Sequence, residues 1–227
     1  MAKLAWAPGA LLAPVPPTLV TCGTVEAPKV LTVAWTGILN TRPPKTYIAV
    51  RPERASYPTL RERGEFVINL PGSDLVRAVD FCGVRSGAAV DKFAETGLTP
   101  EASVTVEAPS LAQCPISLEC RVTEVVPLGS HDLFLADILQ VTVDERCVDA
   151  GGKLHIERCD LLAYAHGSYF QLGRELGTFG YSVRKKPPAR SSAGPKAGSK
   201  DGPKARPKAG PAAGPKGKGG KRRGGKA

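Results

Sequence analysis

Residues 29–57 read K-V-L-T-V-A-W-T-G-I-L-N-T-R-P-P-K-T-Y-I-A-V-R-P-E-R-A-S-Y. Residues 30–38 are apolar or β-branched at most positions, and 46–50 are apolar again. Arg42-Pro43-Pro44 between them can continue neither a helix nor a central strand. The reading is an antiparallel pair of strands joined at the prolines. Arg51, Arg54 and Ser56 follow the second strand, with Pro52 between them. Two cations and a hydroxyl on a short bend supply the donors that a phosphate needs. A charged strand end is equally often an ordinary solvated turn.

Working outward, residues 18–24 form a short strand closed by Gly23 on the N-terminal side. On the other side, 57–64 has helical character with Pro58 in its first turn and Gly64 as its stop. Residues 65–70 (E-F-V-I-N-L) read as a buried strand ended by Pro71-Gly72. Ser73 suits an N-cap for a helix over 74–81, 83–87 (G-V-R-S-G) is a loop, and a helix over 90–95 stops at Gly97. Strands are expected again at 104–107, 116–126, 133–144 and around Leu154. Residues 164–172 (Y-A-H-G-S-Y-F-Q-L) hold three aromatics and a histidine. Strands that adjoin one another without helical crossovers point to a mainly β barrel with short accessory helices, not a βαβ sheet.

The 227 residues carry a net charge of +10, unevenly spread. Fifteen Lys and Arg between Arg184 and Ala227 face a single acid, Asp201, so that segment carries +14 and the remainder −4. Residues 187–227 are Pro, Ala, Gly and Lys in loose repetition with no aromatic. Such a segment buries too little surface to offset an ordering cost of ~1–2 kcal/mol per residue. The expected organisation is a folded body over 1–186 and a disordered basic tail over 187–227. The tail has the charge to bind nucleic acid or another polyanion non-specifically, but no aromatic to stack on a base.

The six cysteines contain no C-x-x-C pair, so no zinc or thioredoxin-like site is expected, and no metal. Prolines 8, 14, 16 and 17 interrupt the N-terminal apolar run that an export signal keeps intact, and no stretch approaches the ~20 apolar residues of a membrane span. The expectation is a cytoplasmic protein with free thiols and no membrane attachment.

Several residues have both a chemical and a plain reading. Trp35 is either a core tryptophan or the cover of a planar ligand that approaches the strand at Gly37. Ser86, Gly87 and Lys92 combine a hydroxyl, backbone amides and a cation, which suits an anion, although neither a Walker loop nor a G-x-G-x-x-G is present. His131, His155 and His166 occupy polar or turn positions where a solvated imidazole is commonplace.

In combination these segments resemble a known family. T-V-A-W-T-G with P-P-K-T-Y, R-P-E-R-x-S, G-E-F-V-I-N-L-P, V-D-F-C-G-V-R-S-G-x-x-V-D-K-F, P-L-G-S-H-D-L-F-L-A, Y-A-H-G-x-Y-F-x-L-G and F-G-Y-S-V-R are similar to stretches of the flavin reductase-like, FMN-binding split-barrel family, nearest to its flavoredoxins. The similarity runs from about Val15 to Arg184. It implies a six-stranded Greek-key split β-barrel, a homodimer and non-covalent FMN. By position, Ala34, Trp35, Thr36 and Gly37 would line the isoalloxazine and ribityl chain, and Arg51, Arg54, Ser56, Ser86, Gly87 and Lys92 the phosphate end. Tyr164 would approach from the last part of the barrel. His131 would be the catalytic residue on the pyridine-nucleotide side, with NADH, NADPH or a ferredoxin-type protein as redox partner. Two positions depart from the pattern. Ser130 stands where an Asp is expected before the histidine, and Lys29 where an Asn would face the flavin.

Overall fold

The structure is a computed structural model and describes residues 1–184. Its centre is one antiparallel sheet built from β1 (Thr18–Gly23), β2 (Pro28–Val33), β3 (Thr36–Thr41), β4 (Pro44–Val50), β5 (Glu65–Leu70) and, after the two-residue pair β6 (Pro100–Glu101) and β7 (Ser110–Leu111), the long strands β8 (Ile116–Pro127) and β9 (Asp132–Val143). The spatial order is β2-β1-β5-β8-β9-β4-β3. The two edge strands, β2 and β3, are neighbours in the chain, separated only by Ala34 and Trp35. A sheet whose two edges are joined by two residues has to curl until they meet, and that makes it a split barrel.

This closure corrects one expectation. Residues 30–38 are not one strand. Residues 28–33 pair with β1 (Val30 opposite Thr21, Val33 opposite Thr18), whereas β3 pairs with β4 (Thr36 opposite Ile48, Thr41 opposite Pro44). To change partner the backbone must leave one ladder before joining the other. At the break the main chain is held by Ala49 N–H donating to Trp35 O at 2.9 Å. Counted as one bent strand, 28–41 gives the six strands anticipated.

The pleat explains why β2 is apolar on both faces. Leu31 and Val33 point into the barrel with Val20, Ile48, Phe66 and Phe134, while Val30 points outward and packs with Leu19 and Val79. Each such fully buried side chain contributes roughly 1.5–3 kcal/mol. Helix α1 (Tyr57–Arg63) links β4 to β5 and drops Leu60 into the barrel core; Gly64, at φ 63°, ends it by donating to Leu60 O. A 3-10 turn over Ser73–Leu75 leads into α2 (Val76–Val84), and α3 (Lys92–Thr96) is capped by Asp91, whose carboxylate accepts from Phe93 N (3.0 Å) and Ala94 N (3.2 Å).

Two further expectations differ from the structure. Ser73 does not cap a helix over 74–81: its hydroxyl is hydrogen bonded to Asp160, its N–H donates to Asp160 O at 2.8 Å, and the α-helix starts three residues later. Residues 104–107 form no strand. Glu119 is fully buried on β8, and its carboxylate accepts from Val104 N (2.8 Å), Thr105 N and Thr105 Oγ1 (both 2.6 Å). Those amides turn toward a buried charge instead of a ladder, because leaving it unpaired would cost more. Leu154 makes only an isolated bridge with Val148.

The last two strands of the described residues form a hairpin, β10 (Leu162–Ala165) and β11 (Ser168–Gln171). Its two turn residues, His166 (φ 47°) and Gly167 (φ 89°), both have positive φ, as a tight hairpin turn requires. All six cysteines are buried free thiols. Among the described residues no helix is long and apolar enough to cross a membrane, and no cluster of three His, Cys, Asp or Glu is placed to hold a metal. The chain divides into Met1–Thr178 and Phe179–Ala227; of the second unit, 179–184 is described and carries a 3-10 turn at Tyr181–Val183. The anticipated tail over 187–227 and its boundary lie outside the described residues.

Candidate functional site

Two cavities meet where β2, β4 and the bend after β4 come together. The first, about 380 Å³, is lined by Ala34, Trp35, Arg51, Arg54, His131 and Tyr164 among others. The second, about 440 Å³, is lined by Arg51, Arg54, Ser56, Ser86, Gly87 and Lys92 among others. Leu31, Arg51 and Arg54 belong to both, so they form one groove, aromatic at one end and cationic at the other.

The cationic end is assembled from two directions. The bend after β4 brings Arg51, exposed and without a side-chain hydrogen bond among the described residues. It also brings Arg54, whose Nη1 donates to Gly83 O at 2.8 Å and so ties the bend to α2. Ser56 lies at the entry to α1, nearly buried, and its hydroxyl makes no hydrogen bond among the described residues. Lys92 comes from α3. It is 6% exposed, and its Nζ donates to Val30 O (2.9 Å) and Cys82 O (2.7 Å), which leaves one of three N–H groups. Burial pushes the Lys92 ammonium below its usual range, Arg54 adds to that, and Cys82 opposes it. An anion beside Lys92 and Arg54 relieves that penalty.

At the aromatic end, His131 has Nδ1 3.0 Å from Ser130 Oγ. Burial lowers its pKa, the Arg51 and Arg54 cations lower it further, and Glu53 opposes them. A neutral imidazole results, able to donate or accept one hydrogen bond toward a ligand. Tyr164 is fixed by its backbone, which exchanges hydrogen bonds with Val15 (2.9 and 2.8 Å), and its ring packs on Tyr169 with centroids 5.4 Å apart.

A planar ring carrying a phosphate on a short chain fits this groove, with unpaired donors at Arg51 and Ser56 for the phosphate and Trp35 with Tyr164 beside the ring. Residues 11–173 match the flavin reductase like domain. The chain belongs to that family. Among solved structures, flavoredoxin of Desulfovibrio vulgaris (Miyazaki F) is 30% identical, with a TM-score of 0.74 over 81% of this chain and 100% of that one. Flavoredoxin from Methanosarcina acetivorans is 25% identical, with a TM-score of 0.71 over the same shares. An uncharacterised protein of Archaeoglobus fulgidus is 37% identical over 52% of this chain and 67% of the relative.

Within this flavin reductase-like barrel, eleven of the thirteen residues singled out from the sequence line the groove or the space next to it. Lys29 lies at the cationic end, not beside Trp35. It borders a third cavity of about 760 Å³ that shares Ser56, Gly87 and Lys92 with the second, and its Nζ is 3.5 Å from Ala55 O. Thr36 and Gly37 line none of these cavities. Thr36 is buried, with its hydroxyl donating to Tyr47 O at 2.6 Å. Gly37 is covered by the Tyr47 ring, which would lie 3.4 Å from a Cβ there. Tyr169 lines the first cavity and was not singled out. It faces Tyr164 across the hairpin and its hydroxyl donates to Asp80 at 3.2 Å, with burial raising its pKa to about 12. Its signal was present: a His-Gly turn places residues five apart, 164 and 169, directly opposite each other.

Proposed function

We propose that this protein is a flavin-dependent oxidoreductase that holds FMN non-covalently. One observation carries the reading: the aromatic cavity and the cation-lined cavity are joined through Arg51 and Arg54. Arg51, Arg54, Ser56 and the Ser86-Gly87 loop would hold the phosphate. Lys92 supplies charge from beneath while bracing β2 against α2. Ala34, Trp35 and Tyr164 would border the ring. FMN, once bound, supplies the electron-transfer chemistry, and the protein supplies position, exclusion of water and electrostatics.

The proposed electron donor is NADH or NADPH, approaching from the His131 side. Ser130 takes over the orienting role expected of an Asp by contacting His131 Nδ1, and the neutral imidazole adds no further cation to a cavity already lined by Arg51 and Arg54. A ferredoxin-linked carrier is the second reading, favoured by the likeness to flavoredoxins. We also propose a cytoplasmic homodimer, in which a second copy covers exposed apolar residues such as Ile38 and Leu39 on β3. Anaerobic mixing of the FMN-loaded protein with each nicotinamide distinguishes the donors: rapid bleaching of the flavin band supports the reductase, and a band that persists with both overturns it in favour of the carrier.

A further inference from the structure

We infer that a separate cavity behind Trp35 and Tyr164 binds a small, neutral, planar ligand of one or two rings that carries a hydrogen-bond acceptor such as a ketone oxygen. The cavity has a volume of about 320 Å³ and lies between the N-terminal segment and the β10–β11 hairpin. Its wall includes Leu11, Leu12, Val15, Trp35, Tyr164 and His166.

Three observations converge on that chemistry. The lining contains no Lys, Arg, Asp or Glu, in contrast to the groove next to it, which has Arg51 and Arg54. An ionised ligand would lose its hydration there and find no counter-charge, so the site selects against carboxylates and phosphates. Size is the second. A cavity of about 150 Å³ holds a benzene ring, so this one accommodates one or two rings and is too small for a dinucleotide. Third, two polar tips interrupt the apolar wall. The Tyr164 hydroxyl and the His166 ring make no hydrogen bond among the described residues, so each has a donor to offer an acceptor atom.

The segment that forms the outer wall is fixed where it needs to be. Val15 and Tyr164 exchange two backbone hydrogen bonds, which places Leu11 and Leu12 over the hairpin turn. Leu11 remains 55% exposed and Trp35 38% exposed, apolar surface that a ring lying between them would cover. Trp35 and Tyr164 also line the proposed flavin cavity, so a ligand here would sit one side chain away from the flavin ring. Its role as a redox substrate or effector rests on the flavin reading, but its binding does not.

The test uses the full chain carrying Trp6→Phe, which leaves Trp35 as the single tryptophan. Titration with acetophenone, a neutral aryl ketone, should quench Trp35 fluorescence saturably, with benzoate at least tenfold weaker. Leu11→Asp should weaken acetophenone at least tenfold, and Leu11→Trp, which fills the space without adding charge, should do the same. Flavin absorbance of each sample is read in parallel and should not change, because Leu11 does not line the flavin cavity. Linear, unsaturable quenching overturns the proposal, as does equal affinity for benzoate or indifference to both Leu11 substitutions. Protein that takes up no added FMN yet still binds acetophenone would leave this site standing and overturn the flavin reading; flavin-loaded protein that does not bind it would overturn this site alone.

Discussion

Replacing Arg51 with Ala isolates the phosphate end of the groove. Arg51 is exposed and makes no side-chain hydrogen bond among the described residues, so its removal should leave folding stability within about 0.5 kcal/mol. A charge-assisted hydrogen bond to a phosphate is worth roughly 1.5–3 kcal/mol. At 1.4 kcal/mol per factor of ten, that is about a ten- to hundredfold loss of FMN affinity. Solvent around Arg51 favours the lower figure. Riboflavin lacks the phosphate and should bind R51A and the parent protein equally well, which completes a double-mutant cycle with the ligand as one partner. Fluorescence titration of the apoprotein with both flavins measures it. If R51A weakens both flavins equally, or neither, Arg51 does not hold the phosphate and the orientation proposed for the cofactor is wrong.

Other outcomes follow from the same geometry. His131 should titrate below the usual histidine value of about 6.5 and move up toward it in R51A, as followed by NMR of the ring protons. Because its folded-state pKa is lowered, its contribution to stability is present above that usual value and is lost as pH falls through the folded one; an unmoved titration in R51A would show that Arg51 does not face it. Asn69→Ala should cost about 3 kcal/mol or more in chemical denaturation, because Asn69 is fully buried, donates to Leu19 O (2.9 Å) and accepts from Leu111 N (3.0 Å) and Ser117 Oγ (2.8 Å); a loss under ~1 kcal/mol would contradict that network. Ending the chain after Lys186 should abolish salt-sensitive retention on a polyanion column while leaving flavin content intact, since the removed segment carries twelve Lys and Arg against Asp201, eleven net positive charges.

Local pattern was enough for β1, β5, β8 and β9, whose alternation or apolar runs and flanking Gly and Pro carry the signal. It failed where the cause was distant in the chain. Nothing in V-A-W-T announces that the strand must change partners at Ala34-Trp35, because the demand comes from closing the sheet against β1 on one side and β4 on the other. The loop at 104–107 likewise follows from Glu119, a dozen or more residues away. In the site, Ala34 to Gly37 is not continuous lining: Trp35 faces the groove, Thr36 is buried with its hydroxyl donating to Tyr47 O, and Gly37 lies under the Tyr47 ring. The phosphate-end residues were legible because the strand end and the Ser86-Gly87 loop carry hydroxyls and cations where an apolar core has no use for them.

The central claim is that the groove between Trp35 and Lys92 holds FMN. Denaturing the purified protein and identifying what it releases tests this most directly. The account predicts a yellow protein that releases FMN in about a one-to-one ratio to chain; a colourless protein that takes up no added FMN would contradict it.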